Sequence, residues 1–203
     1  MTKIGILDYG VGNLYSLKVA LEKLDVQPIT TSSLASTNEY DGLILPGVGN
    51  FSRVTRSLGQ TRDFLVNWVK DSNPLLGVCL GMQLFFERSE EGPGDGLALF
   101  SGKVRKLPSI MKIPHIGWNL LRTRRQSRLL EGLGNDSWVY FVHSFYPEPS
   151  DKQIVVAETN YGVDFASVIT SETKSIYGTQ FHPEKSGIAG ERILKNFVAM
   201  CRN

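Results

Sequence analysis

The feature of this sequence that most restricts its fold is a set of short apolar runs without polar alternation. Residues 42–45 (Gly-Leu-Ile-Leu) and 75–78 (Leu-Leu-Gly-Val) are apolar throughout, which is typical of strands covered on both faces of a sheet. Segments with helical spacing of apolar residues separate these runs, and strands are also predicted at 3–8 and 26–31. Alternating strands and helices predict right-handed crossovers and a mostly parallel sheet with helices on both faces.

The second half of the chain is richer in strands than the first. Helices are predicted at 14–25, 51–70 with a break near Gly59, 82–87 and 190–202. Further strands are predicted at 104–107, 138–142, 154–158, 165–169 and 175–181, and a mobile loop at 90–96. We therefore expect one α/β domain over residues 1–203, in which an antiparallel β extension follows the parallel part of the sheet.

Composition excludes several classes of protein. Of the 203 residues, 41% are hydrophobic and 21% charged, which suits a globular chain with an ordinary core. The 22 basic residues exceed the 20 acidic ones by only two, so overall charge gives no case for nucleic acid. Two cysteines, no leader-like N-terminus and no apolar run of membrane-spanning length predict a soluble, reduced, cytoplasmic protein without membrane contact.

Cys79 stands where a buried strand is predicted to meet a helix. It is the centre of residues 77–81, Gly-Val-Cys-Leu-Gly, a pattern that resembles the nucleophile turn of hydrolases with cysteine in place of serine. Flanking glycines permit a sharp, strained turn, and a helix N-terminus favours the reactive thiolate. Most free cysteines are small buried hydrophobes, but this context favours a nucleophile, with the Leu80 amide placed to stabilise an oxyanion.

A base for this thiol is available in His182. It precedes Glu184 by two residues, and in extended chain residues i and i+2 point the same way, so the carboxylate can orient the imidazole. His115 has no such neighbour and suits a structural or interface position, whereas His143 can line a pocket or be structural. Three scattered histidines without a nearby second cysteine do not predict a metal site.

The two motifs together resemble the class I glutamine amidotransferases over essentially the whole chain. They read Gly-Val-Cys-Leu-Gly-Met-Gln at 77–83 and Gln-Phe-His-Pro-Glu at 180–184. The resemblance implies that Cys79 attacks the side-chain amide of L-glutamine to form a thioester, with His182 as base and then acid, and Glu184 as its orienter. It implies no cofactor.

Three further segments resemble one branch of this family, the glutaminase subunits of imidazole glycerol phosphate synthase in histidine biosynthesis. They lie at 8–14, 45–49 and 114–119. The resemblance implies that the turn at 46–49 supplies a second oxyanion amide, at Val48 or Gly49, opposite Leu80. It also implies that Gln83 holds the amino-acid end of the substrate, and that the segment His143, Ser144, Phe145 lines the glutamine pocket.

A partner subunit is implied as well. The family's glutaminase subunits pass ammonia to a (β/α)8-barrel cyclase, and Trp118, Asn119 and Lys185 are the candidates for the face toward it. From Gly96 to Leu130 the chain has eight basic residues and no acidic one. Such a run is usually a solvated face, but docking of a partner or attraction of phosphate-bearing ligands also fits it. Sparse aromatic residues argue against RNA.

Other functions stay open at this point. The chain could supply ammonia to a different synthase, act as a cysteine peptidase or other hydrolase on a similar fold, or be a binding module without activity. A free glutaminase would waste glutamine, so we also expect hydrolysis to be slow until the partner and its ligand bind. The turn at 46–49 is the expected responder, because its glycines let the peptide units adopt more than one orientation.

Overall fold

Strands and helices alternate in the first half of the chain, and strands dominate the second half. The computed structural model describes residues 1–10, 13–32, 39–59, 61–134 and 136–202. Its helices are α1 (Leu14–Glu22), α2 (Phe51–Ser57), α3 (Thr61–Lys70), α4 (Leu80–Gln83) and α5 (Gly187–Cys201). Its strands are β1 (Lys3–Leu7), β2 (Gln27–Thr31), β3 (Gly42–Leu45), β4 (Leu75–Val78), β5 (Arg88–Ser89), β6 (Gly102–Lys106), β7 (His115–Thr123), β8 (Asp136–His143), β9 (Phe145–Pro149), β10 (Val155–Asn160), β11 (Asp164–Ser171) and β12 (Ile176–Thr179).

One large sheet carries most of these strands, in the order β2-β1-β3-β4-β12-β11-β10-β7-β8. Neighbours from β2 to β12 are parallel, and those from β12 to β8 are antiparallel. The predicted α/β fold with a mostly parallel core is confirmed, and the antiparallel extension continues the same sheet. A small second sheet has the order β5-β6-β9.

Helices cover both faces of the large sheet, as the apolar runs predict. Every residue of β3 and β4 is buried. Ile44 and Leu76 pack in one core with residues of α1 and α5, whereas Leu43 and Leu75 pack in the other with α2 and α3. Successive side chains therefore point into opposite cores, as strand geometry requires.

The helix predicted at 82–87 is wrong in position and length. Helix α4 begins at Leu80 and ends at Gln83. Beyond it, the carbonyls of Leu84 and Phe85 accept hydrogen bonds from Leu97 and Leu99, at 2.7 and 2.8 Å. Those carbonyls are thus paired with a distant segment instead of the next helical turn, and the dipole behind Cys79 is that of four residues only.

Three strands, β5, β7 and β9, lie where none is predicted. Strand β7 contains Gly117 at a φ of 129°, and β9 contains Pro147 and Pro149, so both lack a usual strand composition. Proline is tolerated in β9 because that strand is at the edge of the small sheet. The predicted break in the helix at 51–70 is confirmed, since α2 ends at Ser57 and α3 begins at Thr61.

Within the described part of the chain, no helix combines the length and the apolar character needed to cross a membrane. Of the segment 8–14 that carries part of the family resemblance, Val11 and Gly12 lie outside the described residues.

Candidate active site

Two neighbouring parallel strands bring the predicted nucleophile and base together. Strands β4 and β12 pair in register, with Val78 opposite Thr179, so both end at the same edge of the sheet. The Cys79 amide then donates to the Thr179 carbonyl at 2.7 Å. Cys79 and His182 therefore leave the sheet side by side, at the carboxyl edge where open α/β sheets carry their sites.

Cys79 has the strained backbone that the sequence predicts. Its φ and ψ are 54° and −108°, in a region that side-chain-bearing residues rarely adopt. A Cβ on Gly77 would come within 2.6 Å of the Phe85 ring, and one on Gly81 would overlap the Leu45 carbonyl. Both glycines are thus required by packing, and they allow the cysteine turn to lie directly against its neighbours.

His182 and Glu184 form a buried pair. Nδ1 of His182 lies 2.9 Å from Oε1 of Glu184, and the two side chains are only 3% and 4% exposed. Ser186 holds the histidine backbone, since its hydroxyl donates to the His182 carbonyl at 2.7 Å. Burial lowers the pKa of His182, but the charge that Cys79 carries when it is ionised and the Glu184 carboxylate outweigh this effect and raise the pKa to about 10.

This raised pKa predicts a loss of stability in alkaline solution. The folded chain binds the His182 proton more tightly than the unfolded chain, so the contribution is complete below about 6.5 and is lost as pH rises toward about 10. Denaturant unfolding at a series of pH values should show the free energy of unfolding falling across this interval. Glu184→Gln removes one of the groups that raise the pKa, and its profile should be flatter; identical slopes would contradict the pairing.

A cavity of about 200 Å³ opens beside Cys79. Its lining includes every residue predicted for the oxyanion site and the substrate pocket. The lining residues are Val48, Gly49, Cys79, Leu80, Gln83, Glu91, Pro114, Val142, His143, Ser144 and Phe145. The cavity is smaller than the roughly 300–1,000 Å³ typical of sites for drug-sized ligands, so it suits a small metabolite.

One predicted oxyanion donor is already occupied. The Leu80 amide donates to the Gly47 carbonyl at 3.3 Å, and in this conformation it is not available to a substrate. Gly47 can approach so closely because it has no side chain: a Cβ there would lie 2.6 Å from Cβ of Leu80. The oxyanion site predicted from the sequence is therefore present in its residues but closed in its geometry.

Gln83 presents an acceptor to the cavity. Its Nε2 donates to the Phe145 carbonyl at 2.8 Å and to Oε1 of Gln180 at 3.1 Å. Both amide hydrogens are thus used within the protein, which leaves the Gln83 oxygen as the atom for a ligand. An oxygen acceptor at this position suits the ammonium group of an amino acid.

Glu91 lines the cavity although no motif in the sequence predicts it as a site residue. It is the acidic residue of the cavity lining, and its Oε2 accepts the Phe51 amide at 2.6 Å. The predicted mobile loop at 90–96 contains it, yet the segment is anchored: Arg62 also donates to the carbonyls of Asp95 and Gly96. The only signal in the sequence is an acidic pair next to glycines, which is also typical of a solvated loop.

The two remaining histidines form a neutral buried pair. Nδ1 of His143 lies 2.9 Å from the Phe145 carbonyl, and its Nε2 lies 3.0 Å from Nδ1 of His115. A carbonyl can only accept, so His143 donates from Nδ1 and receives the His115 proton at Nε2. Burial lowers the pKa of His143 to about 3 and that of His115 to about 4, and neither ring has a free lone pair for catalysis at the cavity.

The predicted interface residues are separated by the alternation of β7. Trp118 is 53% exposed, and its ring lies 5.8 Å from that of Tyr140, whose carbonyl accepts the His182 amide. Asn119 points to the opposite face, where its amide contacts His115 at 3.3 Å and the Asn160 carbonyl at 3.1 Å. Trp118 and Asn119 therefore lie on opposite faces of β7, whereas Lys185 is exposed beside Glu184; their part in an interface stays a prediction.

The basic stretch is partly neutralised by acidic residues from other strands. Arg105 donates to Glu90 and to Glu148, both at 2.8 Å, and Arg124 lies 2.7 Å from Glu158. These are exposed or half-exposed pairs that stabilise little. The observed contacts favour the interpretation of this stretch as a solvated face.

A strained cysteine, together with a histidine and a carboxylate that follow the neighbouring strand, is the arrangement typical of a cysteine triad enzyme. The chain belongs to the class-I glutamine amidotransferase family, whose family model matches residues 5–201. It is 46% identical over 209 residues to the imidazole glycerol phosphate synthase subunit HisH of Geobacillus thermodenitrificans, covering 98% of this chain and 97% of the relative. To the subunit of the same name from Methanosarcina barkeri it is 44% identical over 203 residues, covering 99% and 100%.

Solved structures share the fold at lower identity. A putative GMP synthase subunit from Thermoplasma acidophilum has a TM-score of 0.77 at 23% identity, covering 100% of this chain and 94% of that one. A structure described as PurLQS from Thermotoga maritima has a TM-score of 0.78 at 16% identity, covering 98% of each chain. These likenesses concern the fold alone.

Proposed function

We propose that the chain is a glutaminase subunit that hydrolyses L-glutamine to L-glutamate and ammonia. The ammonia is delivered to a synthase subunit that forms imidazole glycerol phosphate and the aminoimidazole carboxamide ribotide by-product in histidine biosynthesis. The single observation that carries the proposal is the position of Cys79, next to the buried His182–Glu184 pair and open to a small cavity. Full-length identity to HisH subunits supports the pathway.

In the proposed mechanism His182 acts first as a base and then as an acid. It takes the proton from Sγ of Cys79, and the sulfur attacks the carbon of the glutamine side-chain amide. The C–N bond then breaks while His182 returns the proton to the leaving nitrogen as ammonia. Water activated by His182 hydrolyses the thioester and releases glutamate, while Glu184 keeps the imidazole oriented through Nδ1.

The lining of the cavity supports an amino-acid substrate. Glu91 offers a negative charge and Gln83 an acceptor oxygen to the α-ammonium group. Both also contact the frame of the site, because Glu91 binds the start of α2 and Gln83 binds β9 through the Phe145 carbonyl. A peptidase is less well supported, since a 200 Å³ cavity has little room for an extended polypeptide.

The exposed apolar side chains near the triad support a partner surface. Ile116, Trp118 and Ile188 are 60%, 53% and 89% exposed, and Lys185, next to Glu184 in the chain, is exposed as well. A Cβ on Gly187 would lie 3.9 Å from the Trp118 ring, so the tryptophan lies against the start of α5. We propose that a (β/α)8-barrel cyclase docks here in a cytoplasmic heterodimer, close enough to receive ammonia directly.

Trp118→Ala should weaken this complex by about tenfold or more, because buried aromatic anchors dominate interface energies. Titration calorimetry with the purified cyclase subunit measures the change in dissociation constant. Lys70→Ala, at an exposed position on α3, serves as the control and should bind normally. Equal affinity for Trp118→Ala and the unchanged chain would exclude this surface.

The proposed function is tested by assaying the chain with its partner. Glutamate and ammonia should appear in equal amounts from glutamine, and imidazole glycerol phosphate should form when the cyclase and its substrate are present. Capture of partners from a cell lysate, followed by the same assays, distinguishes this synthase from another ammonia-using one. Hydrolysis of peptides without hydrolysis of glutamine would overturn the proposal.

A further inference from the structure

One buried polar side chain touches the reacting sulfur and has no role in the chemistry described so far. Gln180 is 0% exposed and directly follows β12, two residues before His182. Its Nε2 lies 3.6 Å from Sγ of Cys79, and its backbone amide donates to the Ser167 carbonyl at 2.9 Å. A buried amide is costly unless it is paired, and here the sulfur is one of its partners.

The direction of this amide is fixed by a chain of hydrogen bonds. The Phe145 carbonyl can only accept, so the group of Gln83 that faces it at 2.8 Å must be the NH₂. The same NH₂ lies 3.1 Å from Gln180, which must therefore present its oxygen to Gln83. As a consequence the NH₂ of Gln180 faces Cys79 and not the reverse.

Besides its interaction with His182, the sulfur has two hydrogen-bond contacts among the described residues, and these two respond in opposite ways to ionisation. The Val142 carbonyl lies 3.7 Å from Sγ and can accept only from the neutral thiol. Gln180 donates, so its bond is retained and strengthened when Sγ becomes an anion. Proton transfer to His182 thus removes one contact and reinforces the other.

We propose that Gln180 is a catalytic residue that stabilises the Cys79 thiolate by donating a hydrogen bond to Sγ, with Gln83 and the Phe145 carbonyl fixing its direction. The inference rests on the proposed function and deepens it. Gln83 then has two tasks, one toward the substrate through its oxygen and one toward the nucleophile through its nitrogen. The stabilised thiolate is the species that attacks glutamine.

The test compares Gln180→Met with the unchanged enzyme in complex with its synthase partner. Methionine has a similar volume but cannot donate, so kcat for glutamine hydrolysis should fall by about tenfold or more, a change of roughly 1.4 kcal/mol, with KM within about threefold. Alkylation of Cys79 by iodoacetamide at neutral pH, followed site by site with mass spectrometry, should slow by a similar factor without any glutamine present. Ser167→Ala removes a buried hydroxyl that donates to the Phe165 carbonyl and keeps the backbone carbonyl that accepts from Gln180, so this neighbouring variant should leave both rates unchanged.

If Gln180→Met fails to fold, Gln180→Glu serves as the second variant. It keeps the shape of the side chain and replaces the donor by an acceptor, so it should slow alkylation at least as much as expected for Gln180→Met. Wild-type alkylation in either folded variant would overturn the proposal, and so would a fall in kcat with unchanged alkylation, because that pattern indicates packing or substrate contact. Failure of the proposed function is separate: it would appear as an unchanged complex that hydrolyses no glutamine, whereas the alkylation rates of Cys79 would still report on the Gln180 contact.

Discussion

Cys79→Ala should abolish glutamine hydrolysis, with a loss on the order of 10⁴-fold or more, as for other enzymes stripped of a nucleophile. The fold should be retained, because the Cβ of alanine fits the backbone that Cys79 adopts at a φ of 54°. Among the described residues, the hydrogen-bond contacts of the sulfur to Val142 and Gln180 are long, at 3.7 and 3.6 Å. Glutamate release by the complex, followed in steady state, measures the effect.

Two comparisons make this result specific. Cys201→Ala changes the second cysteine, which lies on α5 with its Sγ near the Phe197 carbonyl, and should retain hydrolysis. A complex that contains Cys79→Ala should still form product from ammonium salts, because the synthase needs only ammonia. His182→Ala should be nearly as severe as Cys79→Ala and Glu184→Gln milder. Residual hydrolysis near the unchanged rate in Cys79→Ala would refute the assignment of the nucleophile.

Hydrolysis should accelerate at least about tenfold, roughly 1.4 kcal/mol of barrier, when both the partner and its ligand are bound. In the structure the Leu80 amide donates to the Gly47 carbonyl, so the proposed oxyanion donor is not available to a substrate. A missing donor of this kind costs roughly 3 kcal/mol, or a factor of about a hundred or more in rate. Rotation of a single peptide unit in the turn at 46–49 is therefore sufficient, without a domain motion.

The measurement is the steady-state glutaminase rate of the chain alone, with the partner, and with the partner plus its ligand. The ligand can shift the turn only if the liganded complex binds one orientation more tightly than the other. Hydrogen exchange at the Leu80 amide gives an independent readout, since this group changes its partner when the turn rotates. Equal rates in all three states would refute the coupling and leave the triad unaffected.

The parts of the site that follow from local chain geometry are predictable from the sequence. His182 contacts Glu184 at 2.9 Å as predicted, but Glu184 lies in a short 3₁₀ helix at Pro183–Lys185 and not in the extended chain from which the contact was expected. Cys79 is identified by the glycines beside it and by the buried strand before it. Both follow neighbouring strands, and parallel strands end at one edge of a sheet. The α/β architecture itself follows from the apolar runs at 42–45 and 75–78.

The parts that depend on long-range hydrogen bonds are not predictable in the same way. Gln180 is part of the motif at 180–184, but the orientation of its side-chain amide is set by a hydrogen bond from Gln83, which is 97 positions away. Glu91 looks like a loop residue until the Phe51 amide, 40 positions away, binds it. The closed state of the Leu80 amide depends on a contact with Gly47. In each case a polar group forms a hydrogen bond with a residue far away in the sequence. Such pairings leave no periodic pattern in the sequence from which they could be predicted.

The single hydrogen-bonded sheet has a mechanical consequence for the complex. Cys79 follows β4, His182 follows β12, and Trp118 stands on β7 of the same sheet. If the proposed cyclase binds at Trp118, it contacts a sheet whose strands are joined by hydrogen bonds. The distance between nucleophile and base should therefore change little on binding. The part of the site that can change its conformation is the glycine-rich turn at 46–49, which lies beside the sheet. Binding of the cyclase can therefore change the orientation of one backbone amide while the triad keeps its geometry.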